Sequence, residues 1–229
     1  MSTLYVAEVG STHKGNISLA CELARQLKQA GADIIKFQFG HKPDDGTRRV
    51  SEEFAHTVKR YCDDIGLEMM ASIFSHAGLE LARALNLKRY KIAAPGPFEK
   101  HGGTPELVDA ILADNKETFI SLTEPSLVYG LGQGRVKTIF TVSEYPTYPW
   151  DIRMPEFNGD LWYGYSDHCH GLGACLLAVA RGAQYVEKHV CIDKSDLWTK
   201  DTSFSATPVE FADLVRLGRE IEQVRHAAV

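Results

Sequence analysis

The residues best placed to do chemistry fall in two short runs, Tyr163-Gly-Tyr-Ser-Asp-His168 and Val186-Glu-Lys-His-Val190. Each is rich in β-branched and aromatic residues and ends in polar ones, the pattern of a strand that stops at a site. Side chains alternate along a strand, so Ser166 shares a face with His168, and Glu187 shares one with His189. Neighbouring strands lie about 4.8 Å apart, so histidines at matching ends of adjacent parallel strands can reach one metal ion. Between the two runs, Gly171 to Gly182 is a small-residue stretch that predicts a helix stopped at Gly182. Strand, helix and strand then predict a parallel βαβ unit.

The same alternation runs through the rest of the chain. Strands are expected at Leu4–Gly10, Ala32–Gly40, Leu67–Phe74, Arg89–Ala94, Thr118–Thr123 and Val136–Ser143. Helices are expected from 17 to 30 behind a cap at Asn16, from Ser51 to Ile65, over 76–86, from Thr104 to Ala113, and from Pro208 to His226. The connection 124–134 is short for a helix and rich in glycine, and a Pro-rich loop with one helical turn follows the sixth strand. Eight strands separated mostly by helices predict an α/β protein with a single (β/α)₈ TIM barrel spanning 1–229. A doubly wound open sheet is the alternative. It usually has fewer strands and a Gly-rich first turn, and Gly10-Ser-Thr-His-Lys-Gly15 lacks the G-x-G-x-x-G spacing.

Composition narrows the class. The 229 residues are 44% hydrophobic with a formal charge of −5 and no basic run, which argues against nucleic acid as a partner. No apolar stretch approaches a membrane span and no signal peptide is evident. Cys21, Cys62, Cys169, Cys175 and Cys191 include no C-x-x-C pair, so they are expected to be reduced thiols of a cytoplasmic protein.

In a barrel of this kind the chemistry belongs at the C-terminal ends of the strands. Alternation puts Glu8, Lys36, Gln38, Ser72, Lys91, Ser121 and Thr123 on inward faces. It does the same for Thr141, Ser143, Ser166, His168, Glu187 and His189, with Tyr145 just beyond. Polar residues at the tops of all eight strands imply a wet, charged pocket. Lys36 and Lys91 have apolar neighbours and are expected inside. Two lysines with several hydroxyl or amide donors suit a small dianionic group such as a phosphate or carboxylate. A Schiff-base lysine is the other reading. Glu8 and Glu187 are candidates for a general base, for help to a metal ligand, or for partners to the lysines.

Several segments together resemble the sialic acid (N-acetylneuraminate) synthase family. They are Ala7-Glu-Val-Gly-Ser-Thr-His-Lys-Gly15, Gly31-Ala-Asp-Ile-Ile-Lys-Phe-Gln38, Tyr90-Lys-Ile-Ala93, Ser143-Glu-Tyr-Pro146, Gly164-Tyr-Ser-Asp-His168, Gly182-Ala-Gln-Tyr-Val-Glu-Lys-His189 and Asp201-Thr-Ser-Phe-Ser205. The resemblance follows chain order over nearly the whole sequence. It implies a (β/α)₈ barrel that condenses phosphoenolpyruvate with an aldehyde sugar such as N-acetylmannosamine and releases phosphate. It also implies a divalent ion, Mn²⁺ or Mg²⁺ ahead of Zn²⁺, on His168 and His189. By the same resemblance, Lys36, Gln38, Lys91, Ser121, Ser143 and Ser166, together with Ser72, form the phosphoenolpyruvate site. Tyr145 and Asp201 fall on the sugar side, and Glu8, Glu187 and the metal-side His168 make up the catalytic set.

Departures from the family pattern fall mainly in the acceptor half. The family's C-terminal antifreeze-like domain has no counterpart here, so a homodimer or a separate antifreeze-like partner is the expected company. Ile92-Ala-Ala-Pro-Gly96, Leu122-Thr-Glu-Pro125 and Thr202 replace family residues. An acceptor other than N-acetylmannosamine is therefore expected. Two other readings compete: a metal-dependent barrel hydrolase or isomerase using His170 or Cys191 as a further ligand, and a retired module that binds phosphoenolpyruvate or a sugar acid without turnover. Trp198 is the tryptophan expected nearest the site, with Trp150 and Trp162 as packing or pocket walls.

Overall fold

The computed structural model describes residues 2–41, 50–93, 104–124, 134–157, 161–196 and 199–227. Its eight apolar runs form eight strands: β1 (Leu4–Glu8), β2 (Ile34–Phe39), β3 (Glu68–Ile73), β4 (Arg89–Ile92), β5 (Glu117–Leu122), β6 (Val136–Thr141), β7 (Gly164–Asp167) and β8 (Tyr185–His189). They pair in sequence order, all parallel, into a closed barrel. Pairing of β1 with β8, from Leu4↔Tyr185 to Glu8↔His189, closes the ring and rules out the open sheet. The strands end one or two residues earlier than expected at the chemical face. Glu8, Ile92 and Asp167 are the last residues of their strands, so His168 stands one residue beyond its ladder.

Among the described residues, six helices cover the outside: α1 (Ile17–Gln29), α2 (Glu52–Asp64), α3 (His76–Ala84), α4 (Pro105–Ala113), α5 (Gly173–Ala180) and α6 (Pro208–Ala227). The caps at Asn16 and Ser51 form as expected, with side-chain oxygens accepting from the Leu19 and Phe54 amides at 3.0 and 3.1 Å. Each such cap satisfies an orphan helix donor, worth about 1 kcal/mol. The turn expected after β6 is a 3₁₀ turn at Pro149–Asp151. Most of the glycine-rich connection between β5 and β6, and Trp198, lie outside the described residues. No helix among the described residues is long and apolar enough to cross a membrane.

Inside the barrel, Val6, Ile34, Met70, Phe119, Ile139 and Tyr185 pack into one apolar layer. That plug fills the lower half, and the polar side chains sit above it. The outer layer, between strands and helices, is a larger apolar cluster that includes Phe37, Phe54, Val58 and Phe211. Trp162 belongs to it, whereas Trp150 is exposed on the 3₁₀ turn. α6 ties the last element to the first strand: Thr3 donates its amide to Glu222 at 2.7 Å, and the Arg219 guanidinium lies 4.7 Å from the Tyr5 ring centre.

Candidate active site

A pocket opens where the strands end. Its wall holds Glu8, Lys36, Gln38, Ser72, Lys91, Ser121, Tyr145, Ser166, His168, Glu187 and His189, with Thr141 and Ala93 between them. All eight strands supply a side chain directly by alternation, and β7 adds His168 from just past its end. Eleven of the thirteen residues expected at the site therefore meet in one place. The remaining two lie off its wall. Ser143 is half-buried with a hydroxyl that has no hydrogen-bond partner among the described residues. Asp201 turns its carboxylate to Ser11, accepting from the amide at 3.0 Å and the hydroxyl at 2.5 Å.

Asp201 still bears on the site through Gly10. A side chain at Gly10 would stand 2.8 Å from the Asp201 carboxylate and 3.3 Å from the His189 ring. Gly10 also has φ +54°, so both space and backbone call for glycine there.

The ionisable groups form a continuous network. Lys36 pairs with Glu8 at 2.5 Å, bonds Ser72 at 2.7 Å and lies 3.5 Å from Glu187. Lys91 donates to Glu187 at 2.9 Å, Ser166 donates to it at 2.8 Å, and Tyr185 donates to it from the apolar layer below. Gln38 donates to Glu8 at 2.9 Å. Burial works against the Glu187 charge, but Lys36, Lys91 and the bond from Tyr185 outweigh it and hold its pKa well below the usual carboxylate range. Glu8 goes the other way: burial raises its pKa despite Lys36, with Glu187 adding to the rise. Burial also acts to lower the Lys36 pKa, yet the two glutamates raise it overall. Lys91, with one carboxylate partner, is lowered by burial. Two carboxyl groups in one pocket thus differ in how readily each gives up its charge, as an acid–base pair requires.

The two histidines stand with ring centres 5.5 Å apart. His168 Nδ1 is 2.8 Å from the Val142 carbonyl, which can only accept, so Nδ1 carries the proton and Nε2 keeps its lone pair. His189 has a buried Nδ1 without a hydrogen-bond partner among the described residues. Burial pushes both pKa values down to about 4, so both rings are neutral near pH 7. Neutral imidazoles, one held in its tautomer by a carbonyl, suit a divalent ion. No group of three or more His, Cys, Asp or Glu side chains placed to hold a metal is present among the described residues. An ion on His168 and His189 would complete its shell with water and substrate oxygens. His170 is exposed, Cys191 is buried, and neither lines the pocket. The Tyr145 ring lies 4.1 Å from that of His168 and is about half exposed, forming the pocket rim.

Two groups of functional weight were not singled out from sequence. Tyr185 shares the inward face of Glu187 and His189, so alternation alone would have found it. Lys188 and Asp167 face the opposite way, where a charge is not expected.

A parallel eight-stranded barrel with an ionisable pocket at its C-terminal mouth places the chain among TIM-barrel proteins. Within that class, the NeuB family model matches residues 130–228, and over most of its length the chain is similar to sugar-acid synthases. N,N'-diacetyllegionaminic acid synthase of Legionella pneumophila is 27% identical, over 98% of this chain and 73% of its own length. Human N-acetylneuraminate-9-phosphate synthase is 26% identical, over 95% of this chain and 70% of its own. The fold superposes on an N-acetylneuraminic acid synthetase structure from Leptospira borgpetersenii, in complex with citrate, with a TM-score of 0.82. That match covers 98% of this chain and 85% of the other, at 23% identity.

Proposed function

We propose that the chain is a condensing synthase that joins phosphoenolpyruvate to an aldehyde sugar, with release of phosphate, to give a 2-keto-3-deoxy sugar acid. The observation that carries this reading is the juxtaposition of Lys36 and Lys91 with the neutral pair His168 and His189 in one pocket. Cations for an anionic substrate and lone pairs for a divalent ion stand on facing walls. The activities of the relatives point the same way.

In the reaction, C3 of phosphoenolpyruvate attacks the aldehyde carbon and a C–C bond forms. The former aldehyde oxygen takes up a proton to become a hydroxyl, and water adds at C2 with loss of one proton. The tetrahedral carbon then expels phosphate as the C2–O bond breaks, the C2 carbonyl forms and the remaining hydroxyl proton leaves with the phosphate. Lys36 and Lys91, with Ser72, Ser121, Ser166 and Gln38, hold the phosphate and carboxylate and set the alkene against the aldehyde. His168 and His189 would hold Mn²⁺ or Mg²⁺, which when bound supplies Lewis-acid polarisation of the aldehyde oxygen. An incoming dianion competes with Glu8 and Glu187 for the ammoniums. Glu8, with its raised pKa, gives up its charge more readily than Glu187 and takes the proton released by the attacking water.

Two variants separate these roles. Lys91→Met removes one ammonium from the anion seat. It should weaken phosphoenolpyruvate binding by calorimetry roughly tenfold to a hundredfold, the value of a hydrogen bond to a charged group. Glu8→Gln keeps the contact to Gln38 in shape but cannot accept a proton. It should lower kcat about a hundredfold or more with little change in phosphoenolpyruvate affinity; a normal rate would remove Glu8 from the proton path.

The direct test is phosphate release from phosphoenolpyruvate with Mn²⁺ across a panel of aldehyde sugars, with and without chelator. Chelator-sensitive release that depends on one sugar is expected and would name the acceptor. Phosphoenolpyruvate binding without release for any sugar would favour the retired binding module instead.

A further inference from the structure

On the outer face of the barrel, behind the two histidines, lies an ion pair sealed from solvent. Lys188 and Asp167 have side chains 0% exposed, and the Lys188 ammonium donates to Asp167 Oδ2 at 2.6 Å. The same ammonium donates to the backbone carbonyl of Cys169. The other carboxylate oxygen, Oδ1, accepts from the Tyr165 hydroxyl at 2.8 Å and the Cys169 amide at 3.2 Å. Both carboxylate oxygens and two of the three ammonium protons are used.

The placement matters more than the satisfaction. Lys188 immediately precedes His189, while Asp167 and Cys169 flank His168 on either side. The backbone register of β7 with β8 ends at Asp167↔Lys188, one residue short of His168. Where the main-chain ladder stops, one ammonium grips the residues before and after His168 and is joined covalently to His189. A layer between strands and helices is ordinarily apolar, and replacing a buried ion pair by apolar side chains is often neutral or stabilising. Stability therefore gives little reason for charge at this position, whereas a fixed register does.

We propose that Lys188 and Asp167 are positioning residues that set the mutual placement of the His168 and His189 rings. The consequence for metal binding rests on the reading of those histidines as metal ligands, while the placement itself does not. Partners of this kind, which act on a ligand from behind, typically change metal affinity ten- to a hundredfold when lost.

The test is the double variant Asp167→Leu/Lys188→Met, which keeps an apolar pair in the layer. Two quantities are measured on the full chain: Mn²⁺ affinity by electron paramagnetic resonance, and the ¹H–¹⁵N signal of His168 Nδ1–H bonded to Val142. The double variant should fold, with Mn²⁺ affinity at least about tenfold weaker and the His168 signal shifted or lost. Val58→Ala, in α2 and away from the pocket, should lower stability and leave both readouts alone. Unchanged Mn²⁺ affinity together with an unchanged His168 signal would overturn the proposal. If the wild-type chain binds no Mn²⁺, the metal reading fails and the His168 signal alone decides the positioning role. Should the double variant not fold, Asp167→Asn and Tyr165→Phe, which each weaken one side of the clamp, are read by the same two measurements.

Discussion

Glu187→Gln is expected to destabilise the fold by about 3–5 kcal/mol near pH 7, the cost of breaking a buried ion pair from one side. Glu187 accepts from Lys91, Ser166 and Tyr185 and stands 3.5 Å from Lys36. Lys36 keeps Glu8 as a partner, but Glu187 is the carboxylate that holds Lys91. The amide leaves that ammonium buried without a counter-charge. Lys91 can escape the cost by losing its proton. Burial already lowers its pKa in the folded chain below the unfolded value, and loss of Glu187 lowers it further. Between the folded and unfolded pKa values the unfolded chain binds more protons, so stability of the variant rises with pH as Lys91 becomes neutral in both states. Urea denaturation at a series of pH values should show a deficit near pH 7 that shrinks towards pH 10. The double variant Glu187→Gln/Lys91→Met should regain most of the loss at pH 7. A single variant within about 0.5 kcal/mol of wild type, the scale of an ordinary surface change, would mean that the carboxylate does not hold the charge of Lys91. Phosphate release should fall in the single and the double variant alike, because Lys91 is displaced in the first and absent from the second.

The barrel and most of the pocket were legible because one rule generates both. Period-two alternation names the inward face of each strand, and in a parallel barrel all the strands deliver that face to the same mouth. Lys36 and Lys91 could be assigned to the interior because their neighbours are apolar on both sides. Alternation is silent where the chain leaves the strand. Ser143 lies two residues past β6 and Asp201 sits on a 3₁₀ turn, and neither reaches the pocket wall. It also treats outward positions as apolar packing, so the buried charges at Asp167 and Lys188 went unremarked although they lie inside the most informative motifs. Tyr185 was missed for the opposite reason: an aromatic residue in a strand is taken as core. Its ring does belong to the apolar layer, while its hydroxyl belongs to Glu187.

His13 offers a second large effect, away from the pocket chemistry. It sits in the turn after β1, is 0% exposed, and packs on the rings of Phe37 and Phe54 with centres 5.8 and 4.8 Å away. Its Nδ1 accepts from the Gly15 amide at 3.0 Å, which fixes the proton on Nε2, a buried atom without a hydrogen-bond partner among the described residues. A second proton on Nδ1 would break the bond to Gly15 and bury an unpaired charge. Burial accordingly pushes the pKa down to about 4 in the folded chain, against about 6.5 when unfolded. The unfolded state binds more protons between those values. The contribution to stability is complete above about pH 6.5 and is lost as pH falls through 4, with a ceiling on the order of 3 kcal/mol. His168 and His189, also lowered to about 4, add to the same slope, so the comparison must isolate His13. His13→Leu cannot take up a proton and leaves the Gly15 amide without its acceptor. It should therefore be less stable than wild type at pH 7 but lose less on acidification. Denaturant unfolding at pH 7, 5.5 and 4 measures both chains on one scale. Parallel lines for wild type and variant would show that this imidazole is solvated well enough to charge in place, and the curves should instead converge or cross as pH approaches 4.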